Sequence, residues 1–339
     1  MIGGEHYLKL SKANDGFATL FHELSNHSVF YATGRDAIFG IVSHLSPRRL
    51  WVPNYLCKSI YDAVTVTGSE IRAYEVDVNL NASMQWLDHV CPGDAVLVLH
   101  YFGEVQRQLL DRLDGTGAIR ISDATHLLMS PTAWSLALDH SDWVFGSLRK
   151  SGPFPDGGFL MSRHARPPEP SMGPRSGFWV KRAAALLSRG ASSLFNFMDD
   201  ENFRLFQEAE LELDQDVARP HAMSFLSRGL LESLPLGSSR ASVKQNFDIL
   251  LSAVPGFLIH PISFRAVSPY FPCCFRDQHH RDRVRGRLAE KRMFLPIHWP
   301  TSFLDIPHPL SDRILSIPCD GRYQASDMMN VGETLRRLS

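Results

Sequence analysis

Residues 143–158, WVFGSLRKSGPFPDGG, join an apolar run to a loop rich in glycine and proline. The aromatic and β-branched residues at 143–145 favour a strand, and the glycines and prolines that follow favour a loop. Lys150 lies at the start of that loop. A lysine held at a strand end and kept from water loses its proton and becomes a nucleophile toward carbonyl groups. The stretch therefore predicts a strand that delivers a reactive amine into a loop.

Other apolar runs extend this pattern toward the N-terminus. Between about residues 28 and 160 they alternate with helical stretches, and they lie at 50–52, 71–74, 95–99 and 118–122. Near-continuous apolar strands separated by helices favour a parallel sheet covered on both faces, which is an α/β fold. Open sheets of this kind bind ligands at the carboxyl ends of their strands, where Tyr101, Asp123 and Lys150 would lie.

The pattern changes after residue 160. A surface loop is predicted at 163–175, and helical periodicity follows from about 179 to 217. From Ser239 onward we predict a smaller α+β unit, with a helix at 244–253, strands at 256–260, 269–275 and 293–299, and a terminal helix from Asp327. The chain is thus divided into a large domain over 1–238 and a small C-terminal domain over 239–339.

The composition narrows the class of protein. The 339 residues are 44% hydrophobic and carry 35 basic against 36 acidic side chains, so no overall charge attracts nucleic acid or a membrane surface. The mixed charges of residues 281–292 are typical of a solvated helix face. Five cysteines without a CxxC pair disfavour both a disulfide framework and a structural metal site. Without a signal segment or a run long enough to cross a bilayer, a cytoplasmic protein is expected.

Asp123 follows the apolar run at 118–122, one predicted strand before Lys150. A carboxylate at one strand end and a lysine at the next provide two contacts that pyridoxal 5'-phosphate (PLP) needs, one for its pyridinium nitrogen and one for its aldehyde. Either residue alone is more typical of a helix cap or a solvated surface side chain. A third segment supplies the phosphate contact, and the combination indicates PLP.

That third segment is VFYATGRDAIFGIV, residues 29–42, a strand followed by a glycine turn and an amphipathic helix. Free N–H groups at the turn and the positive end of the helix form a phosphate site, to which Arg35 adds a charged donor. Capping of the helix by Thr33 or Asp36 is an equally good interpretation.

Two more polar residues extend the predicted site. Ser147 either donates its hydroxyl to the same phosphate or serves a turn. His126 either bonds the phenolic oxygen of the ring or is a core histidine bonded to backbone.

Six short motifs occur in the order found in the DegT-type sugar aminotransferases, and the chain resembles that family over about residues 28–330. They are GRDA at 34–37, VPNY at 52–55, HYFG at 100–103, DATH at 123–126, SLRK at 147–150 with DGG at 156–158, and PIHWP at 296–300. The ordered set carries the resemblance, because no single motif is specific. It implies an aspartate-aminotransferase-like fold, PLP fold type I, and a homodimer with a shared active site.

The resemblance also implies a role for each matching residue. Lys150 forms the internal aldimine and moves protons, Asp123 pairs with the pyridine nitrogen, and His126 contacts the ring. The other implied roles are phosphate binding by Gly34, Arg35, Asp36 and Ser147, cofactor contact by Cys57 and Tyr101, and substrate contact by Tyr55 and His298. Alternatively, His298 and Trp299 are a pair of packing residues in a strand.

The chain departs from the family at several places. Cys57 stands where the family stacks an aromatic residue on the ring, so either Tyr55 or His126 stacks there or the ring is held less tightly. The family also donates an asparagine from the partner subunit to the phosphate, and residues 219–222 contain none. The chain is also short for the family, which leaves the substrate open.

The resulting prediction is a PLP-dependent aminotransferase that takes an amino group from a donor such as glutamate and passes it to a keto sugar or another small keto metabolite. Elimination, replacement or condensation on the same scaffold is an alternative, since the surrounding groups decide which bond breaks. A non-catalytic binding or regulatory protein is another, although it would be free to lose Lys150 or Asp123.

Overall fold

The structure is a computed structural model that describes residues 2–3, 24, 28–162, 164–195, 200–215, 218–233, 236–259, 267–301 and 307–338. Its strands and helices are, in chain order, β1 (Ile2–Gly3), β2 (Ser28–Tyr31), α1 (Gly34–Leu45), β3 (Arg49–Pro53), α2 (Lys58–Thr65), β4 (Glu70–Tyr74), β5 (Ala95–Leu99), α3 (Arg107–Leu113), β6 (Ile119–Asp123), α4 (Pro131–Asp139), β7 (Trp143–Ser147), β8 (Gly158–Met161), α5 (Ser176–Phe195), α6 (Asp200–Gln215), α7 (Phe225–Ser233), α8 (Leu236–Ala253), β9 (Tyr270–Cys274), α9 (Gln278–Glu290), β10 (Met293–Phe294), β11 (Ile314–Pro318) and α10 (Ala325–Leu338).

Seven strands form the central sheet, in the order β2-β8-β7-β6-β5-β3-β4. The ladders from β4 through β3, β5 and β6 to β7 are parallel, whereas β8 runs antiparallel to both β7 and β2. Because β8 is reversed, β2 points in the same direction as β7. The carboxyl ends of β2, β3, β5, β6 and β7 therefore share one edge of the sheet, and the predicted, mainly parallel α/β sheet is confirmed.

Apolar side chains bury both faces of this sheet. One face packs against α1, α2 and α3, and the other packs against α4 and the C-terminal helices α8, α9 and α10. Every residue of Ala95–Leu99 is buried, which explains why the sequence of this central strand is continuously apolar rather than alternating.

The C-terminal part adds a second, two-stranded sheet of β9 and β11, paired antiparallel. Residues Ile2–Gly3 also belong to this region, because β1 pairs in parallel with β10. The predicted boundary at residue 239 falls inside α8, and the C-terminal elements share an apolar core with the sheet. The division into two domains stays a proposal.

Several predicted elements differ in the structure. Residues 256–260 contain a 3₁₀ turn at Gly256–Leu258 and a single bridge at Ile259, while His260 lies outside the described residues. Of the predicted strand at 293–299 only Met293–Phe294 is a strand, because Pro296 lacks the N–H that a ladder needs.

The helical stretch predicted at 179–217 is two helices, and Val217 lies outside the described residues. Phe178 of α5 packs near Leu213 of α6, and Leu186 packs near Phe206, so the two helices form an antiparallel hairpin. The charged run at 281–292 is largely helical as predicted, yet Arg281 is buried and donates to the Ser311 carbonyl at 2.9 Å.

Candidate active site

Two adjacent strand ends bring Asp123, Ser147 and Lys150 to one place. Asp123 is the last residue of β6 and pairs with Phe145 of β7, two residues before Ser147. Lys150 ends the 3₁₀ turn Leu148–Lys150 that follows β7. Thr125 connects the strands: its N–H donates to Asp123 Oδ1 at 2.9 Å, and its hydroxyl accepts from the Ser147 N–H at 3.1 Å.

The first turn of α1 lies beside the end of β7. Thr33 is extended and caps the helix, since its Oγ1 accepts from the Asp36 N–H at 3.1 Å and its carbonyl accepts from the Ala37 N–H at 3.1 Å. The amides of Gly34 and Arg35 have no intrahelical acceptor at these positions. A Cβ on Gly34 would lie 3.4 Å from the Ser147 Cβ, so the positive helix end and a hydroxyl are neighbours.

Two glycines, one just before β8 and one at its start, allow this close packing. Gly157 has φ +141°, which L side chains rarely adopt, and its N–H donates to the Ala32 carbonyl at 2.5 Å. A Cβ on Gly158 would collide with the Thr33 carbonyl oxygen and would lie 2.7 Å from the Gly34 nitrogen. The DGG motif therefore holds the β8 backbone against the start of α1.

The side chains of Arg35 and Asp36, which were predicted to bind a phosphate, form hydrogen bonds with other residues of the protein. The Arg35 guanidinium donates to the Leu213 carbonyl and to Asp214 Oδ1 on α6, both at 2.9 Å. The Asp36 carboxylate is buried and accepts from the Thr33 hydroxyl and from the His221 N–H at 3.1 Å. Burial raises the Asp36 pKa. Both side chains brace the helix start against distant segments, which leaves the backbone N–H groups for an anion.

Asp123 is a half-buried carboxylate with few partners. Burial raises its pKa, and the hydrogen bonds from Thr125 oppose that shift. In the described part of the chain, no Lys, Arg or His forms an ion pair with Asp123. A cation brought to this carboxylate would supply the missing charge partner.

His126 is buried and neutral. Burial, with a smaller effect from the positive charge of Lys150, lowers its pKa to about 3. Its Nδ1 accepts from the Phe102 N–H at 3.2 Å, so the proton of the neutral ring lies on Nε2. Phe102 adopts φ 48°, a left-handed conformation that is unfavourable for a bulky side chain and that a functional constraint often explains.

His298 is a second buried imidazole, and its ring centroid lies 5.7 Å from that of His126 in an edge-to-face arrangement. Its Nδ1 bonds the Ser316 hydroxyl at 2.8 Å. Burial lowers the His298 pKa well below its usual value, and His126 and Lys150 add to the shift. Lys150 is therefore close enough to act electrostatically on both histidines.

Lys150 and His298 line one cavity of about 1030 Å³. Its other walls come from α5, α6, α9, the residues after α9, and the strands β9 and β11. The Lys150 side chain is exposed on the cavity wall, which differs from the predicted desolvated amine, because the cavity is open to solvent.

Tyr55 and Tyr101 lie beneath the site and are fully buried. Their rings stack at 5.6 Å, the Tyr101 hydroxyl donates to the Tyr55 carbonyl at 2.6 Å, and the Tyr55 hydroxyl donates to the His298 carbonyl. Tyr55 thus holds the backbone of His298 and has no exposed surface for the predicted substrate contact. Cys57 is half-buried before α2, with its Sγ 3.1 Å from the Ser59 hydroxyl.

Three residues of the site were not predicted: Thr125, Phe102 and Ser316. Thr125 lies inside the DATH motif, and a hydroxyl between two site residues was the available signal. The contacts of Phe102 and Ser316 join residues that are distant in sequence, and no local pattern indicates them.

Solved structures with the same fold include aminotransferases and a serine palmitoyltransferase from Sphingomonas wittichii. The aminotransferase TlmJ from Streptoalloteichus hindustanus has a TM-score of 0.68, with 14% identity over 100% of this chain and 98% of that one. Spr1654 from Streptococcus pneumoniae in its PLP-form has a TM-score of 0.65 and 13% identity over 96% of this chain and 92% of that one. A DegT DnrJ EryC1 StrS aminotransferase from Brucella abortus has a TM-score of 0.59 and 14% identity over 95% and 88% of the two chains.

No protein-family model matches the chain, and no curated protein sequence matches it. At such low identities the likeness shows the fold, and the predicted PLP fold type I is confirmed. None of the described helices has the length and apolar composition needed to cross a membrane.

Proposed function

We propose that the protein is a PLP-dependent aminotransferase that moves an amino group from a donor such as glutamate to a keto sugar or another small keto metabolite. One observation carries the proposal: Lys150, the carboxylate of Asp123 and the open helix start at Gly34 lie at neighbouring strand ends. An amine, an anion and an anion-binding turn are the three contacts that an aldehyde, a pyridinium and a phosphate require.

The residues present fit PLP at each of these contacts. The amides of Gly34 and Arg35 and the Ser147 hydroxyl would hold the phosphate. Asp123 would keep a proton on the pyridine nitrogen, and its raised pKa would fall once that cation lay beside it. His126 would donate from Nε2 to the phenolic oxygen, because Phe102 occupies its Nδ1.

PLP supplies an aldehyde for the amine and a ring that accepts electrons from a carbanion. The chain supplies the proton transfers and the orientation. Lys150 Nζ, standing on the cavity wall, would take the proton from the substrate carbon and return it. His298, neutral at pH 7 and fixed by Ser316, would offer its Nε2 to the acceptor.

The decisive experiment is borohydride reduction of the purified protein incubated with PLP, followed by peptide mass spectrometry. The expected result is a stable PLP adduct on Lys150 and a visible absorption band that Lys150→Ala removes while the circular dichroism is unchanged. Lys244→Ala is the matched control, because Lys244 is exposed on α8 and forms an ion pair with Asp248 at 2.7 Å. An adduct on another lysine would contradict the assignment.

The assembly and the compartment are part of the same proposal. A homodimer with a shared site is supported by the resemblance to the DegT-type family and by large apolar side chains such as Phe225 and Phe257 that are exposed on the single chain. A cytoplasmic location is supported by five cysteines that are all free thiols. Light scattering at several protein concentrations tests the dimer.

A further inference from the structure

We propose that the amino acceptor carries an extended apolar segment, and that this segment lies in a groove beside Lys150. The inference rests on the proposed aminotransferase function. The apolar groove is the part of the cavity between α6 and α9, and it is formed by Phe203, Leu211, Gly286, Ala289 and Phe294.

The α6 wall of the apolar groove presents large apolar side chains to solvent. Phe203 and Leu211 are 64% and 61% exposed and both line the cavity. They are eight positions apart on the helix, which is slightly more than two turns, so they lie on one face about 12 Å apart. Phe294, 47% exposed, extends this surface past the end of α9. Exposed apolar surface inside a concavity marks a binding site for apolar groups.

The α9 wall of the apolar groove is made of small residues. Gly286 and Ala289 are three positions apart and therefore share a helix face. A Cβ on Gly286 would meet no atom within 4 Å, so the space beside it is open. The groove therefore has open space beside α9 and an apolar wall at α6, and it can accommodate the apolar chain of a ligand.

The three carboxylates that line the cavity already have protein partners. Glu210 pairs with Arg149 at 2.7 Å, Asp214 pairs with Arg35 at 2.9 Å, and Asp282 accepts from Arg281 at 2.6 Å. A ligand rich in hydroxyl groups needs polar partners that are available for new hydrogen bonds. The exposed side chains of Phe203, Leu211 and Phe294, by contrast, are available to a ligand.

The apolar groove is continuous with the reacting end of the site, because Lys150 and His298 line the same cavity. A volume of about 1030 Å³ is at the upper end of ligand sites, which hold about 300–1,000 Å³. The keto group would lie at Lys150 while the chain extends between Phe203 and Gly286.

The test measures the binding of straight-chain 2-oxo acids of increasing length to the apo-protein and to the PLP-loaded protein by calorimetry. The expected Kd falls by up to about fourfold for each added CH₂, equivalent to about 0.8 kcal/mol, until the groove is filled. Gly286→Leu should abolish this gain for the longer acids and leave the shortest acid unaffected. Gly286→Ala, which adds a single methyl group in open space, is the matched control and should keep the gain.

Three results would overturn the inference. They are a Kd that does not depend on chain length, a length dependence that Gly286→Leu leaves intact, and tighter binding of uridine diphosphate than of any 2-oxo acid. A change of oligomeric state in Gly286→Leu with unchanged ligand binding would instead make the groove a subunit contact.

A separate measurement isolates the proposed function from this inference. The change of the PLP spectrum driven by an amino donor does not involve the chain of the acceptor. If that change occurs without any dependence of binding on chain length, only the inference fails. If no donor produces it, the aminotransferase proposal itself fails.

Discussion

The carboxylate of Asp123 combines burial with a lack of cationic partners among the residues that the structure describes. Because its native pKa is raised, the native state binds more protons than the unfolded chain between the two pKa values. The free energy of unfolding therefore falls as the pH rises through that window, and at neutral pH the apo-protein carries the cost of the charged form. This is the expected state of a group placed for a ligand rather than for stability.

Asp123→Asn should accordingly raise the melting temperature of the apo-protein at pH 7, while it lowers turnover of the PLP-loaded protein by about two orders of magnitude or more. The neutral amide no longer favours the protonated ring nitrogen. Differential scanning fluorimetry and steady-state kinetics measure the two effects. Asp88→Asn, at an exposed position of the described chain, is the control and should change neither quantity.

His126 makes the opposite contribution to the pH dependence of stability. Its native pKa is lowered to about 3 by burial, so its stabilising effect is present above the unfolded pKa of about 6.5 and is lost as the pH falls toward 3. We expect the apo-protein to lose stability between pH 6.5 and 4, by at most about 1.4 kcal/mol per pH unit for this residue.

His126→Gln should weaken that loss, because an amide does not have to bind a proton when the protein unfolds. Urea unfolding at pH 7 and pH 5 provides the comparison. His89→Gln, on the exposed surface, should show the same pH dependence as the unchanged protein. Identical slopes for His126→Gln and the unchanged protein would mean that other buried groups dominate the acid sensitivity.

Side-chain partners were the least predictable part of the site. Gly34 and Ser147 could be paired from the sequence because each lies at or just after the end of a strand of one sheet. Arg35 and Asp36 were expected to bind phosphate, yet their partners Asp214 and His221 are far away in sequence. Long-range partners of charged side chains depend on how helices pack, and no local pattern encodes that packing.

At the scale of elements, the start of α1 depends on a cap and on a glycine. Thr33→Ala removes the acceptor of the Asp36 N–H and should lower the free energy of unfolding by about 1–2 kcal/mol. Thr33→Ser keeps the hydroxyl and should recover most of that loss. Chemical denaturation of the three proteins measures the difference, and equal losses for both variants would assign the effect to the methyl group of Thr33.

Gly158→Ala should disturb the same helix start from the strand side, because its Cβ meets backbone atoms of Thr33 and Gly34 that cannot move independently. We expect a loss of about 1–3 kcal/mol or more in stability and a weaker retention of PLP on dialysis. Gly173→Ala is the matched control, since a Cβ there meets no atom within 4 Å. Equal retention of PLP in the two variants would mean that Gly158 does not contribute to cofactor binding.

Strand prediction succeeded where burial on both faces makes a run continuously apolar, as in Ala95–Leu99. It failed at 293–299, where Pro296 interrupts the ladder. Strand β11 was not predicted, since Ser316 lies in the middle of its apolar residues. That serine is buried because it bonds His298, a contact that only the tertiary structure creates.

At the scale of the whole molecule, we propose that the C-terminal part contributes the acceptor side of the site. His298 reaches the cavity from the segment after α9, whereas Lys150 and Asp123 come from the central sheet. His298→Ala should therefore leave the donor half-reaction intact and slow the return of the cofactor with a keto acceptor by about 10-fold or more. Single-turnover spectroscopy of each half measures this, and equal losses in both halves would assign His298 to packing.

The position of β8 has a consequence for the order in which the protein is made. Among the described strands, β2 has one sheet neighbour, β8, and the register pairs Tyr31 with Gly158. A growing chain that had left the ribosome as far as Lys150 would contain β3 to β7 with Asp123 and Lys150. Strand β2 would still lack β8, the strand with which it pairs. The proposed pocket for the phosphate would close only after residue 161 had emerged, so any capture of PLP during synthesis would have to wait until about half of the chain had been made.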